Sequence, residues 1–205
     1  MIDQLLGAAI SFGRNAVGVV TKPYETYRTL VERAKGWELV CVAGLIAGYF
    51  TLASLVKVSA FRPFLLTREF MVLLGAAVVS YGVVVGLLWI VGRLVGGRGS
   101  FAGLACGWGY TLLPTVIWFF TTSALFLLLP PPRTMSVAGI VFSGLFLVFS
   151  VTLLFWKLML GYLTLRFGLK LDLARILVVA GIVVPILGIY SVGMYRIGIF
   201  RVPFI

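Results

Sequence analysis

The residues able to do chemistry in this chain of 205 are few and scattered. Histidine is absent, which removes the commonest general base and a frequent metal ligand. The carboxyl groups are Asp3, Glu25, Glu32, Glu38, Glu69 and Asp172. All are read as lying outside the long apolar runs, so no run carries the carboxylate that proton relay or cation coupling needs. Cys41 and Cys106 lie inside apolar runs, at a separation that fits neither a disulfide framework nor a metal site. They are read as small apolar packing residues and as reduced thiols. No nucleophile with an adjacent base, no carboxylate pair and no metal cluster is present. The expectation is a non-enzymatic protein with no catalytic residue, no cofactor and no metal.

Lys157 is the single charge well inside an apolar run, and an intramembrane ionisable group is by default a functional candidate. Snorkelling of its ammonium to the headgroups beside Trp156 is the leading reading. A bond to carbonyls or threonines of another helix, and substrate binding, are the alternatives. Thr111, Thr115, Thr121, Thr122 and Ser123 give one run its polar atoms, which most often bond back to the preceding turn. Pro114 and Pro185 each remove a helical hydrogen bond and are expected to kink their helices. Lys157, Thr115, Pro114 and Pro185 are therefore candidate functional or structural residues.

The elements that carry them follow from composition. Hydrophobic residues make up 61% of the chain, charged residues 11%, and the mean hydropathy is +1.14. Soluble domains stand near ~45–50% and ~25% for the first two quantities, so this is an integral membrane protein. The net charge of +11 comes from basic residues between apolar runs, which points to topology and to membrane lipids, anionic ones included, and not to nucleic acid. Charge-free intervals at Leu39 to Val56, Phe70 to Gly92, Gly99 to Pro132, Thr134 to Trp156 and Ile176 to Tyr195 each suffice to cross ~30 Å of hydrocarbon. The fold expected is all-α, a five-transmembrane-helix bundle spanning approximately 39–60, 69–95, 101–129, 135–165 and 173–195 within a membrane domain of 37–205. Pro130-Pro131-Pro132 should form an extended cap after the third span. Placing the N-terminus inside sets ten basic residues in inner segments against six in outer ones, with Lys157 left out. The positive-inside rule then favours a cytoplasmic N-terminus and an outer C-terminus.

Residues 1–36 precede the first span and do not read as a signal peptide, since they open with Asp3 and lack a basic n-region. On a helical wheel Asp3, Gln4, Ser11, Arg14 and Asn15 gather within roughly 120°, opposite Leu5, Leu6, Ala9, Ile10, Phe12, Val17 and Val20. This predicts an N-terminal amphipathic interfacial helix, lying on the membrane, packed on the bundle, or both. Pro23 should open a second short helix that Gly36 stops, with Arg28 and Glu32 paired on its polar face.

Small residues recur at four-residue spacing in Gly44/Gly48, Gly82/Gly86, Gly92/Gly96 and Gly103/Gly107. Such faces let helices approach closely, within one chain or in a homo-oligomer. Gly96-Gly97-Arg98-Gly99-Ser100-Phe101 lacks the Gly-Lys-Ser/Thr ending of a phosphate-binding loop and reads as a tight cytoplasmic turn.

Five short motifs occur in order along the chain: Pro23-Tyr24-Glu25-Thr26-Tyr27, Gly97-Arg98-Gly99-Ser100-Phe101, Tyr110-Thr111-Leu112-Leu113-Pro114, Trp156, and Gly168-Leu169-Lys170. In them the chain resembles the Yip family, the Ypt- and Rab-interacting membrane proteins, in its prokaryotic branch. The resemblance implies a five-helix bundle with a cytosolic N-terminus in the inner membrane of a prokaryote, and it adds Tyr110 and Gly99 to the candidate residues. The acidic Asp-Leu-Tyr-Gly-Pro stretch of the eukaryotic members is absent, so binding of a Rab-type GTPase is not inferred. Two function classes follow: a membrane protein that organises partners or shapes the bilayer, as a homo-oligomer or with other membrane proteins, and a channel or transporter for a small solute, ion or lipid.

Overall fold

In a bilayer every backbone amide must be satisfied within the chain, so continuous apolar runs fold as helices. The computed structural model describes residues 2–33, 36–57, 63–128 and 137–199, and among these all regular structure is helical. The order is α1 (Ile2–Thr21), α2 (Pro23–Glu32), α3 (Gly36–Lys57), α4 (Pro63–Leu94), α5 (Phe101–Tyr110), α6 (Leu112–Leu128), α7 (Val137–Gly168) and α8 (Leu173–Arg196). Four stretches are long and apolar enough to cross a membrane: Phe70–Leu94, Phe101–Leu125, Gly139–Gly168 and Leu173–Arg196. Trp37–Gly48 of α3 is a shorter apolar stretch. The triple proline Pro130-Pro131-Pro132 lies outside the described residues.

The chain departs from the expected single third helix. It breaks between α5 and α6 at Thr111, whose amide turns back to the Trp108 carbonyl at 3.0 Å. Pro114 has no amide to offer the carbonyl of Tyr110, so the ladder opens one turn before the proline and not at it. Pro185 lies within the uninterrupted α8. The second helix also ends earlier than expected, at Glu32, with the Arg33 amide on the Thr29 carbonyl, and Gly36 opens α3 where a stop was expected. Glycine punctuates either side of a turn, and its position alone does not say which.

The ten-residue α5 is the hub. It packs against α2, α3, α4, α6 and α7, while α1 lies on α2 and α3, and α8 on α4 and α7. One apolar cluster joins Val85, Leu88, Leu104, Leu165, Leu169 and Val179; a second joins Val19, Tyr27, Leu30, Cys106, Tyr110 and Leu160. The outer surface is apolar as well, with Ile140, Leu147, Leu154, Leu177 and Ile189 all exposed. This is the pattern of a bundle whose solvent is hydrocarbon.

Two turns are locked together at one end. The Arg98 amide bonds to the Leu169 carbonyl at 2.9 Å, and Gly97 closes the α4–α5 turn on the Gly92 carbonyl at 2.8 Å. A Cβ on Gly99 would run into the Gly168 carbonyl, so the two backbones touch where only hydrogen fits. Gly96 takes φ +96°, the left-handed region that glycine occupies without strain.

Candidate functional site: a buried carboxyl joining three helices

Glu38 stands in the first turn of α3 and is only 6% exposed. Its Oε2 accepts two hydrogen bonds, from the Tyr110 hydroxyl of α5 at 2.6 Å and from Nδ2 of Asn15 in α1 at 3.0 Å. The Phe12 ring lies 5.6 Å from that of Tyr110, so apolar packing accompanies the polar tie. A buried carboxyl is tolerated only with such partners, since taking it from water unpaired costs several kcal/mol.

The surroundings explain why these side chains meet. Gly103 and Gly107 thin α5 on the sides that face α2 and α7. A Cβ on Gly103 would stand 2.8 Å from Cγ1 of Val31, and one on Gly107 would stand 3.1 Å from Cγ2 of Thr164. Tyr27 of α2, fully buried, donates to the Gly107 carbonyl at 3.2 Å, and the Tyr81 hydroxyl of α4 donates to the Ala105 carbonyl. Burial pushes the Tyr27 phenol well above its ordinary range, so it remains a neutral donor at physiological pH. Cys106, a free thiol, is buried one turn before Tyr110. Among the described residues no group of His, Cys, Asp or Glu is arranged to hold a metal ion. The cluster holds a carboxyl and neutral donors, which suits it to fastening α1, α3 and α5 together.

The described part of α1 packs on the bundle through residues of both faces of its wheel. Asn15 of the polar face turns inward to Glu38, and Ile10, Val17 and Val20 of the apolar face are 67%, 63% and 60% exposed. Val19 is completely buried and Phe12 packs inward. Arg14, the neighbour of Asn15 on that face, is exposed, so the polar face is divided between the bundle and the outside. The Arg28–Glu32 pair is replaced by Lys22–Glu25 at 3.9 Å, the ion pair found among the described residues, and it is well exposed.

Of the sequence candidates, Tyr110 belongs to this cluster and Pro114 is buried just beyond it. Gly99 sits at the crossed turns, Thr115 is half-buried on α6, and Pro185 is exposed on α8. Lys157 is half-buried on α7, with no ion pair among the described residues. Glu38 and Asn15 were missed. Glu38 directly abuts an apolar run after Trp37, and this position reads equally well as a solvated flank.

A family model for the Yip1 domain matches residues 17–195. The chain belongs to the Yip1 domain family. No curated protein and no solved structure matches it at a significant level. The Yip1 domain runs from Val17 in α1 to Tyr195 in α8 and takes in Glu38, Tyr110 and the crossed turns. Asn15, the α1 partner of Glu38, lies just ahead of the matched segment.

Proposed function

We propose that this Yip1-domain protein is a non-enzymatic organiser of the bilayer or of membrane partners, with α1 as its working surface. The observation that carries this is the seating of α1: twenty residues long, tied through Asn15 to Glu38, with Ile10, Val17 and Val20 turned outward. An outward apolar edge on a helix at the end of a bundle fits insertion at the headgroup boundary. α3 is counted as the first of five spans, because its 22 residues reach ~33 Å at ~1.5 Å per residue. The chain then passes back and forth from the α1–α2 end, which carries the inner basic residues and faces the cytoplasm of a prokaryotic cell.

The conduit reading is weaker. The Thr111 hydroxyl bonds to the Trp108 carbonyl at 2.7 Å, that of Thr122 to Trp118 at 2.7 Å, and that of Thr164 to Leu160 at 2.9 Å. Hydroxyls spent on their own helices do not line a path for a solute. Reconstitution into vesicles tests the choice. The intact chain should change vesicle size or shape without releasing an entrapped solute, and Val17→Asp with Val20→Asp should abolish the change while the bundle stays folded. Solute flux that is lost in Thr115→Val or Lys157→Gln, with the fold intact, would overturn the organiser in favour of the conduit.

A further inference from the structure

The strongest charged feature outside the Glu38 cluster is the pair of locked turns. Arg93 and Arg175 reach adjacent residues of one turn: Nη1 of Arg93 donates to the Gly97 carbonyl at 3.4 Å, and a Cβ on Gly96 would lie 3.3 Å from Nη1 of Arg175. Arg98 and Lys170 stand on the two turns beside them, and all four side chains are exposed. Asp172 is the one nearby carboxyl in sequence; it makes no cap bond to α8, and the ion pair among the described residues lies elsewhere, at Lys22–Glu25. Two guanidinium groups on one turn repel each other, and an anion shared between them turns that repulsion into charge-assisted hydrogen bonds. The chain has 17 basic residues against 6 acidic ones, so an anion shared by the two would be supplied from outside.

The neighbours identify the depth. Arg93 stacks on Trp89 with its Cζ 4.4 Å from the ring centroid, and Trp89 meets Phe101 edge to face at 5.5 Å. An indole beside an arginine is the arrangement of the headgroup belt. Ile90, Leu94, Leu173 and Leu177, on the adjoining turns of α4 and α8, are 58%, 81%, 56% and 63% exposed, as surface in contact with acyl chains would be.

We infer that the crossed α4–α5 and α7–α8 turns form a binding site for the phosphate headgroup of an anionic phospholipid, with Arg93 and Arg175 as its principal ligands. Arg98 and Lys170 add attraction without fixing the geometry. The inference rests on the reading that this end of the bundle lies at headgroup level, and it goes beyond a general attraction to acidic membranes by naming one place.

Native mass spectrometry of the full chain, released from micelles doped equally with phosphatidylglycerol and phosphatidylcholine, tests it. The wild type should retain phosphatidylglycerol preferentially. Arg93→Gln with Arg175→Gln should weaken that retention about thirty-fold, the effect of two cations withdrawn from a headgroup, and by clearly more than Arg14→Gln with Arg28→Gln, the same charge loss on α1 and α2. Should the first pair unfold the turn, Arg98→Gln with Arg175→Gln provides the same comparison and should also weaken retention. No preference for phosphatidylglycerol, equal loss from both pairs, or complete displacement of the lipid by millimolar inorganic phosphate would overturn the site. Vesicle remodelling without lipid preference would sink this inference alone; lipid preference without remodelling would sink the organiser reading alone.

Discussion

The end of the bundle that holds α2 and the crossed turns is built differently from the opposite end, and the glycines show it most clearly. At Gly92, Gly97, Gly99, Gly103 and Gly107 an added Cβ would press on a neighbouring atom; at Gly75, Gly82 and Gly144 it would meet nothing within 4 Å. Burial follows the same division. Among the described residues the buried ones of α7 begin at Leu160 and those of α4 at Val85, and residues 70–84 and 139–159 are exposed or half-buried. The difference teaches that close packing here is local: a tight knot around α5 anchors long helices whose other ends rely on lipid for their surroundings.

That contrast can be broken first at its tightest point. Gly99→Ala should prevent the turns from closing on the Gly168 carbonyl and abolish the folded monomer in detergent, read as loss of a monodisperse size-exclusion peak. Gly82→Ala, in open space, should fold normally and gain up to ~1 kcal/mol from helix propensity. Next in size, Glu38→Ala should destabilise by ~3 kcal/mol, because it strands the Tyr110 hydroxyl and the Asn15 amide and leaves a hole. Tyr110→Phe should cost ~2 kcal/mol by the same argument applied to one bond. Thermal or denaturant unfolding in one detergent measures both. Ser100→Ala removes the cap whose Oγ accepts from the Gly103 amide at 3.0 Å and should cost ~1 kcal/mol. The smallest effect is expected at the loose end: Trp118→Phe deletes the 2.9 Å bond to Ser150 and should cost under ~1 kcal/mol.

Membrane character, the helical class and the positions of the long helices were legible in the chain, because charge-free length is set by hydrocarbon thickness and needs no tertiary knowledge. The family was legible too, in short motifs such as Tyr110-Thr111-Leu112-Leu113-Pro114 that fall within the matched residues 17–195. What was not legible depends on neighbours. The spacing Gly82/Gly86 is the same as Gly103/Gly107, yet only the second pair faces a close partner. Asn15 and Glu38 are separated by 23 residues, and no periodicity links an asparagine of one helix to a carboxyl at the start of another. The wheel of α1 groups residues by face but does not say which of them meet the bundle: Asn15 reaches Glu38 while Arg14 beside it is exposed.

The claim on which the account turns is that the Glu38 carboxyl fastens α1 to the bundle. Pulsed electron–electron spin resonance measures this directly, with spin labels at Arg14→Cys on α1 and Leu154→Cys on α7, both exposed positions, in a chain carrying Cys41→Ser. With Glu38 present the account predicts a single narrow distance distribution, and with Glu38→Ala a broad one shifted to longer distances while the bundle stays folded. A distribution in Glu38→Ala as narrow as that of the parent, at the same distance, would contradict it.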